Sequence, residues 1–198
     1  MSETDKSLLE RLSDRADSAS WQQLLGIYTP LIRDWLRRHG VPPSDAEDLT
    51  QEVFGVVVRE PPRFRHNRRR GAFRTWLRSI TTNCLRRSWR ARSRATTGWG
   101  DFLAMLDRLE DPASDLSRLW DREHDQQVLE RLLAMLEPDF RPSTWRAFRR
   151  QVLEEVPPEA VAIELGLSVN AVLIAKSRVL QRLRRQADGL VDWPRGFS

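Results

Sequence analysis

Residues 63–94 read RFRHNRRRGAFRTWLRSITTNCLRRSWRARSR, a stretch whose only formal charges are arginines. Inside it Phe73, Trp76, Leu77, Ile80 and Cys84 recur at three- and four-residue steps, the spacing of one helix face. The pattern predicts a loop, RFRHNRRRG, followed by a helix from about Ala72 to Arg92. Arg74, Arg78, Thr82, Arg86 and Arg90 then fall on one side, with Asn83, Arg87 and Arg94 nearby. A helix that packs one face and offers guanidinium groups on the other suits nucleic acid, because guanidinium grips phosphate in a fixed fork. A solvated basic face is the plain alternative. Trp89 either extends the core or offers a stacking surface to unpaired bases.

Charge is segregated around this stretch. Residues 59–94 carry thirteen bases and one acid, residues 95–140 eleven acids and four bases, and residues 141–185 nine bases and four acids. Two basic blocks separated by an acidic one read as two phosphate-facing surfaces. A chain of 198 residues with 40% hydrophobic content can build one large packed domain or two small ones. No apolar run approaches the roughly 20 residues of a membrane helix. The start, MSETDKSLLE, is acidic and polar, unlike a signal peptide. A single cysteine, Cys84, excludes an intrachain disulfide and a cysteine-rich zinc site. Together these features predict a cytoplasmic protein with no membrane partner.

Upstream, residues 7–19 are a modest helical lead-in. Trp21, Leu24, Leu25, Tyr28, Leu31, Ile32, Trp35 and Leu36 predict a helix capped by Ser20, interrupted by Pro30 and ended at Gly40. DAEDLTQEVFGVVVRE (45–60) predicts a second, capped by Ser44 or Asp45 and stopped by Pro61-Pro62. Its buried stripe is Leu49, Val53, Val56 and Val57, with Phe54 at the edge. Asp48, Gln51 and Glu52 point largely away from that stripe. The carboxylates Asp45, Glu47, Asp48 and Glu52 lack calcium-loop spacing and a histidine at a ligand step. They predict capping and a solvated or partner-facing surface, and no metal.

Downstream, residues 96–116 predict a flexible acidic linker with a turn or more of helix around Phe102–Leu109. Leu119, Val128, Leu129, Leu132, Leu133 and Leu136 predict a helix ending before Pro138, and TWRAFRRQVLEEV follows Pro142 as another. Residues 158–177, PEAVAIELGLSVNAVLIAKS, fit the twenty-residue frame of a DNA-binding helix-turn-helix. Ala162 and Ala175 are the small residues where helices touch, Gly166 takes the left-handed turn, and Val172 is the branched core residue. The exposed front then holds Ser168, Val169, Asn170, Leu173, Ile174 and Ser177. Lys176, Arg178, Arg182, Arg184 and Arg185 are placed for phosphates or flanks. Asn170 and Ser177 can hydrogen-bond base edges, and Leu173 and Ile174 can meet thymine methyl groups. A helical hairpin without DNA is the plain alternative.

LLGIYTPLIRDWLRRHG, DAEDLTQEVF and FRTWLRSITTN followed by arginines occur here in that order. With TWRAFRRQVLEEVPPEAVAIELGLSVNAVLIAKSRVLQRLR, they resemble a bacterial RNA polymerase sigma factor of the small, extracytoplasmic-function type. The resemblance covers about 20–95 and 117–187. It implies an all-α chain of two small helical domains joined by a flexible acidic linker, with no enzyme chemistry and no cofactor. The implied parts are a lead-in (1–19), a region 2-like domain (20–95), a linker (96–116), a region 4-like domain (117–187) and a tail (188–198). The first domain would bind the clamp helices of the polymerase largest subunit through Asp48, Gln51 and Glu52. It would also melt the −10 promoter element and hold non-template bases. Phe64 and Asn83 match positions near the flipped base, and the loop with His66, Asn67, Arg68, Arg69 and Arg70 matches the loop that selects it. Arg86, Arg87 and Arg90 would grip phosphate there. The second domain would dock on the flap of the second-largest subunit and read the −35 element with residues 169–185.

An anti-sigma factor is a further partner that the family often has. The loop RHNRRRGAF is longer and more basic than is usual in the family, and Leu173 and Ile174 stand where many relatives carry polar or basic residues. A free-standing helix-turn-helix regulator of duplex operators would account for 117–187 but leaves DAEDLTQEVF and the arginine helix without a task. An enzyme acting on nucleic acid would need metal-ligand spacing, a phosphate-cradling loop or a nucleophile–base pattern, and the sequence offers none.

Overall fold

The computed structural model describes residues 7–12, 16–60, 71–92 and 99–192. The protein is all-α, with no strand among those residues. Its helices are α1 (Leu8–Arg11), α2 (Ser18–Arg38), α3 (Pro43–Arg59), α4 (Ala72–Arg92), α5 (Trp99–Glu110), α6 (Asp115–Leu136), α7 (Pro142–Phe148), α8 (Pro158–Leu165) and α9 (Val169–Ala187). No single helix among the described residues is long and apolar enough to cross a membrane. The chain forms two compact units. One comprises residues 8–128 with the segment from Gly189, and the other is built from residues 129–188.

In the first unit α2 is capped by Asp17, one turn earlier than the sequence suggests. The Asp17 carboxylate accepts from the Ser20 amide at 2.9 Å and from the Ser20 hydroxyl at 2.5 Å, so Ser20 lies buried inside the helix. An ionised carboxylate is a stronger acceptor for orphan helix N–H groups than a hydroxyl, which favours this register. α2 runs through Pro30 and buries Leu24, Ile27, Tyr28, Leu31, Ile32, Trp35 and Leu36. α3 starts at Pro43 without a side-chain cap, where a preset φ and a missing N–H cost nothing. Ser44 and Asp45 therefore sit within the helix instead of capping it. Its buried stripe is Ala46, Leu49, Thr50, Val53, Phe54 and Val57. Val56 is only half-buried. Thr50 tolerates burial because its hydroxyl donates to the Ala46 carbonyl at 2.6 Å.

α4 has the expected bounds and buries Phe73, Leu77, Ile80, Cys84 and Leu85. Where a linker was expected, α5 buries Leu106 and Leu109 and packs on α4. α6 buries Ser117, Trp120, His124, Val128, Leu132 and Leu136, while Leu119 is left 39% exposed. The stripe thus runs through a tryptophan and a histidine, one position away from the leucine the sequence suggested. Trp120 meets Trp35 edge-on at 4.7 Å, an aromatic pair that ties the start of α6 to α2. The first unit consequently extends to Val128, past the boundary expected near residue 95.

His124 gives this unit a pH dependence. Its Nδ1 lies 2.9 Å from the Asp125 carboxylate and its Nε2 lies 3.2 Å from the Tyr28 hydroxyl. Burial pushes the imidazole below its ordinary 6.5, against the pull of Asp125 and Asp121, and Arg74 adds to the lowering. The unfolded chain therefore binds this proton more tightly than the folded chain. The stability from a neutral His124 is complete above pH 6.5 and is lost as pH falls through the lower folded value. Asp125 has the same sign at lower pH. Burial opposes its ionisation, but hydrogen bonds from His124 and Arg74 outweigh burial and hold it low. Asp121 has the opposite sign, being raised chiefly by burial, and acts near the carboxylate range. The thermal midpoint should fall on acidification just below pH 6.5, and His124→Gln should flatten that slope. An unchanged slope in the variant would assign the effect to other groups.

The second unit is held by two small cores. Trp145 and Phe148 of α7 pack on Val179 and Leu180 of α9, and Ala147, Val161, Ala162, Val172 and Ala175 join α7, α8 and α9.

Candidate nucleic-acid interface

Four-residue spacing puts Arg74, Arg78, Thr82 and Arg86 on one side of α4, as helical geometry requires. That side faces acids. Arg74 Nη1 donates to Asp125 at 2.7 Å and Nη2 to Asp192 at 3.1 Å. Its Nε lies 2.9 Å from Asp121 as an ion pair without hydrogen-bond alignment. Arg78 Nη1 donates to Asp121 at 3.0 Å and to the Ser117 hydroxyl. Arg74 and Arg78 are 8% and 3% exposed, so neither is available to phosphate. Burial lowers the basicity of both guanidiniums. The carboxylates around Arg74 overcome that penalty, whereas at Arg78 burial prevails.

Further along α4, Arg86 Nη2 donates to Asp107 and Nη1 to Glu110, each at 2.7 Å. Thr82 also donates to Glu110 at 2.7 Å. Trp89 stacks on Phe102 of α5, with ring centres 4.3 Å apart and planes 20° apart. The basic and acidic blocks of the sequence therefore meet inside one unit.

Asn83, Arg86, Arg87 and Arg90 share an open groove of about 670 Å³ with Arg59 from the end of α3. Asn83 is exposed. Arg59 escaped the sequence reading, although it follows Glu52 by two helical turns on the same side of α3. Arg87 pairs with Glu52 at 2.7 Å, so Glu52 is tied across α3 and α4. Asp48 and Gln51 remain exposed on α3. Phe64, His66, Asn67, Arg68, Arg69 and Arg70 lie outside the described residues. No group of three or more His, Cys, Asp or Glu residues is placed to hold a metal ion among the described residues.

In the second unit, α8 and α9 meet at 106°. Gly166 makes the corner with φ +62°, a conformation that disfavours any Cβ. Ser168 caps α9 by accepting from the Ala171 amide at 3.1 Å. Ala162, Val172 and Ala175, the frame residues, are buried between the helices. Ser168, Val169, Asn170, Leu173, Ile174, Lys176, Ser177 and Arg178 are all exposed. Arg182 is half-buried, 3.6 Å from Asp139. Residues 165–187 contain no acid, so α9 itself contributes only cationic and polar groups around an apolar centre of Val169, Leu173 and Ile174.

Residues 24–95, from within α2 to just beyond α4, match the family described as Sigma-70 region 2. The ECF RNA polymerase sigma factor SigE of Mycolicibacterium smegmatis is 28% identical over 188 residues. That alignment takes in 91% of this chain and 66% of the relative, so the chain spans just under two thirds of the relative's length.

Proposed function

We propose that the chain is an RNA polymerase sigma factor of the extracytoplasmic-function type that binds core polymerase and directs promoter recognition, melting and initiation, a reading supported by its match to Sigma-70 region 2 and its similarity to a sigma factor of that type. The main support is that one unit presents two adjoining polar surfaces. Asp48 and Gln51 stand exposed on α3, and Asn83 with Arg59, Arg87 and Arg90 lines a groove at α4. The α3 surface, with Glu52 beside it, would take the clamp helices of the largest subunit. The α4 groove would hold non-template bases of the −10 element as they unstack, since a melted strand needs both phosphate attraction and base capture. The unit of residues 129–188 would dock on the flap of the second-largest subunit. Its acid-free α9 would enter the major groove at the −35 element, with Ser168, Asn170 and Ser177 toward base edges and Lys176, Arg178 and Arg182 toward phosphates.

The chain carries out no covalent step in this scheme, needs no cofactor and works in the cytoplasm. An anti-sigma factor would be a third partner. Transcription of fragmented genomic DNA by core polymerase with and without the chain tests the proposal. Discrete new start sites are expected with it, and none from a folded chain would overturn the proposal. Alone, the chain should bind DNA weakly and with strong salt sensitivity. Tight, specific duplex binding without polymerase would instead favour a free-standing regulator.

A further inference from the structure

Beside the groove at Asn83, α4 carries a guanidinium, Arg86, and an indole, Trp89, that could meet a DNA strand, and α5 already occupies both. Asp107 and Glu110 oxygens lie 2.7 Å from the two terminal nitrogens of Arg86, where phosphate oxygens would bind. Phe102 lies flat on Trp89 at 4.3 Å and 20°, the geometry an unpaired base adopts on an aromatic side chain. Leu106 and Leu109, buried on the same face of α5, set the register that brings the two carboxylates and the ring to those places. A carboxylate pair in place of phosphate and a phenyl ring in place of a base make up a stand-in for one nucleotide of single strand.

We infer that α5 is a built-in nucleic-acid mimic that covers Arg86 and Trp89, one edge of the strand-binding side of α4, in the free chain and gives them up when core polymerase is bound. The inference rests on the proposed role of α4 in holding the −10 strand. The cover is shallow where it must be removable. The Asp107 side chain is 72% exposed, whereas those of Arg86 and Glu110 are 20% and 34% exposed, so the Asp107 contact is the one that faces solvent. A solvent-facing ion pair contributes little net stability, so competing contacts can displace it. The device makes DNA access follow polymerase binding, which keeps the free chain from occupying unpaired strands elsewhere.

Fluorescence anisotropy of the free full-length chain with a short labelled single-stranded oligonucleotide tests this. Asp107→Asn with Glu110→Gln should tighten binding and steepen its salt dependence by about one phosphate contact. Phe102→Ala, which keeps both ion pairs, should tighten binding about tenfold by freeing the Trp89 face. It carries the test if the double variant loses helicity. Adding Arg86→Ala to the double variant should return binding to the wild-type level. Equal binding by wild type and by the folded uncovered variants would overturn the inference. So would a gain that persists without Arg86, since that reports only the change in net charge. Wild-type chain assayed with core polymerase on genomic fragments separates the two levels. Absence of new start sites there removes the role of α4 itself, whereas start sites without any gain on uncovering remove only the cover.

Discussion

Arg74→Ala should cost the first unit about 3–5 kcal/mol, the usual consequence of stranding one side of a buried ion pair. The Arg74 side chain is 9% exposed and meets Asp121, Asp125 and Asp192 at 2.7–3.1 Å. Without it, Asp121 and Asp125 face each other across a partly buried site, with Arg78 paired to Asp121 and His124 beside Asp125. Burial already pushes Asp121 upward, and Asp125 would lose one of the hydrogen bonds that hold it low. Protonating those acids is the cheapest escape, so the loss should shrink in acid. Arg74→Lys should recover only part of it, because an ammonium is a point charge and cannot fork toward three carboxylates. Urea unfolding of the three proteins at neutral pH measures the effect. A loss below about 1 kcal/mol for Arg74→Ala would mean that water or rearranged side chains compensate the acids, and that the cluster is not what holds α6 to α4.

Much of the helical architecture can be read from apolar periodicity. The bounds of α4 and most of the buried stripe of α2 follow from steps of three and four, although Ile27 is buried and Trp21 and Leu25 are only half-buried. Ala162, Val172 and Ala175 are buried and Gly166 takes the left-handed turn. The sequence reading falls short where charge meets charge. The basic blocks at 59–94 and 141–185 read as two phosphate-facing surfaces set apart by the acids of 95–140, whereas in the first block Arg74, Arg78 and Arg86 spend their charge on Asp121, Asp125, Asp107 and Glu110. The signal was present in the spacing. Asp121 and Asp125 stand four residues apart, as do Arg74 and Arg78, and Asp107 and Glu110, one helical turn apart, converge on Arg86. Periodicity scored on apolar residues alone passes over such a pattern. For the same reason apolar periodicity passes over His124. Its place in the stripe with Trp120 and Val128 shows only when polar core residues are allowed into the helix face. The candidate −10 residues divide accordingly. Asn83 and Arg90 line the groove, and Arg86 and Arg87 line it while bound to acids, Arg86 to Asp107 and Glu110 and Arg87 to Glu52.

That division sharpens the expected effect of two neighbouring substitutions. Asn83→Ala should redistribute transcription among promoters that differ within the −10 element. A carboxamide both donates and accepts, and so can tell base edges apart. A well-placed amide–base pair is worth about 1–3 kcal/mol of discrimination, roughly tenfold or more between favoured and disfavoured bases. Asn83 is exposed on the groove beside Arg59 and Arg87, with no ion-paired role to lose, so its removal should leave stability nearly unchanged. Arg86→Ala should lower all promoters in similar proportion, because a phosphate contact positions the strand without reading it. Its effect should be smaller than that of an unengaged arginine, since Arg86 must first exchange Asp107 and Glu110 for phosphate. Run-off transcription with core polymerase on a panel varied one base at a time distinguishes the two. If Asn83→Ala scales every promoter by one factor, as Arg86→Ala does, Asn83 reads no base. Selectivity would then have to come from the residues between α3 and α4.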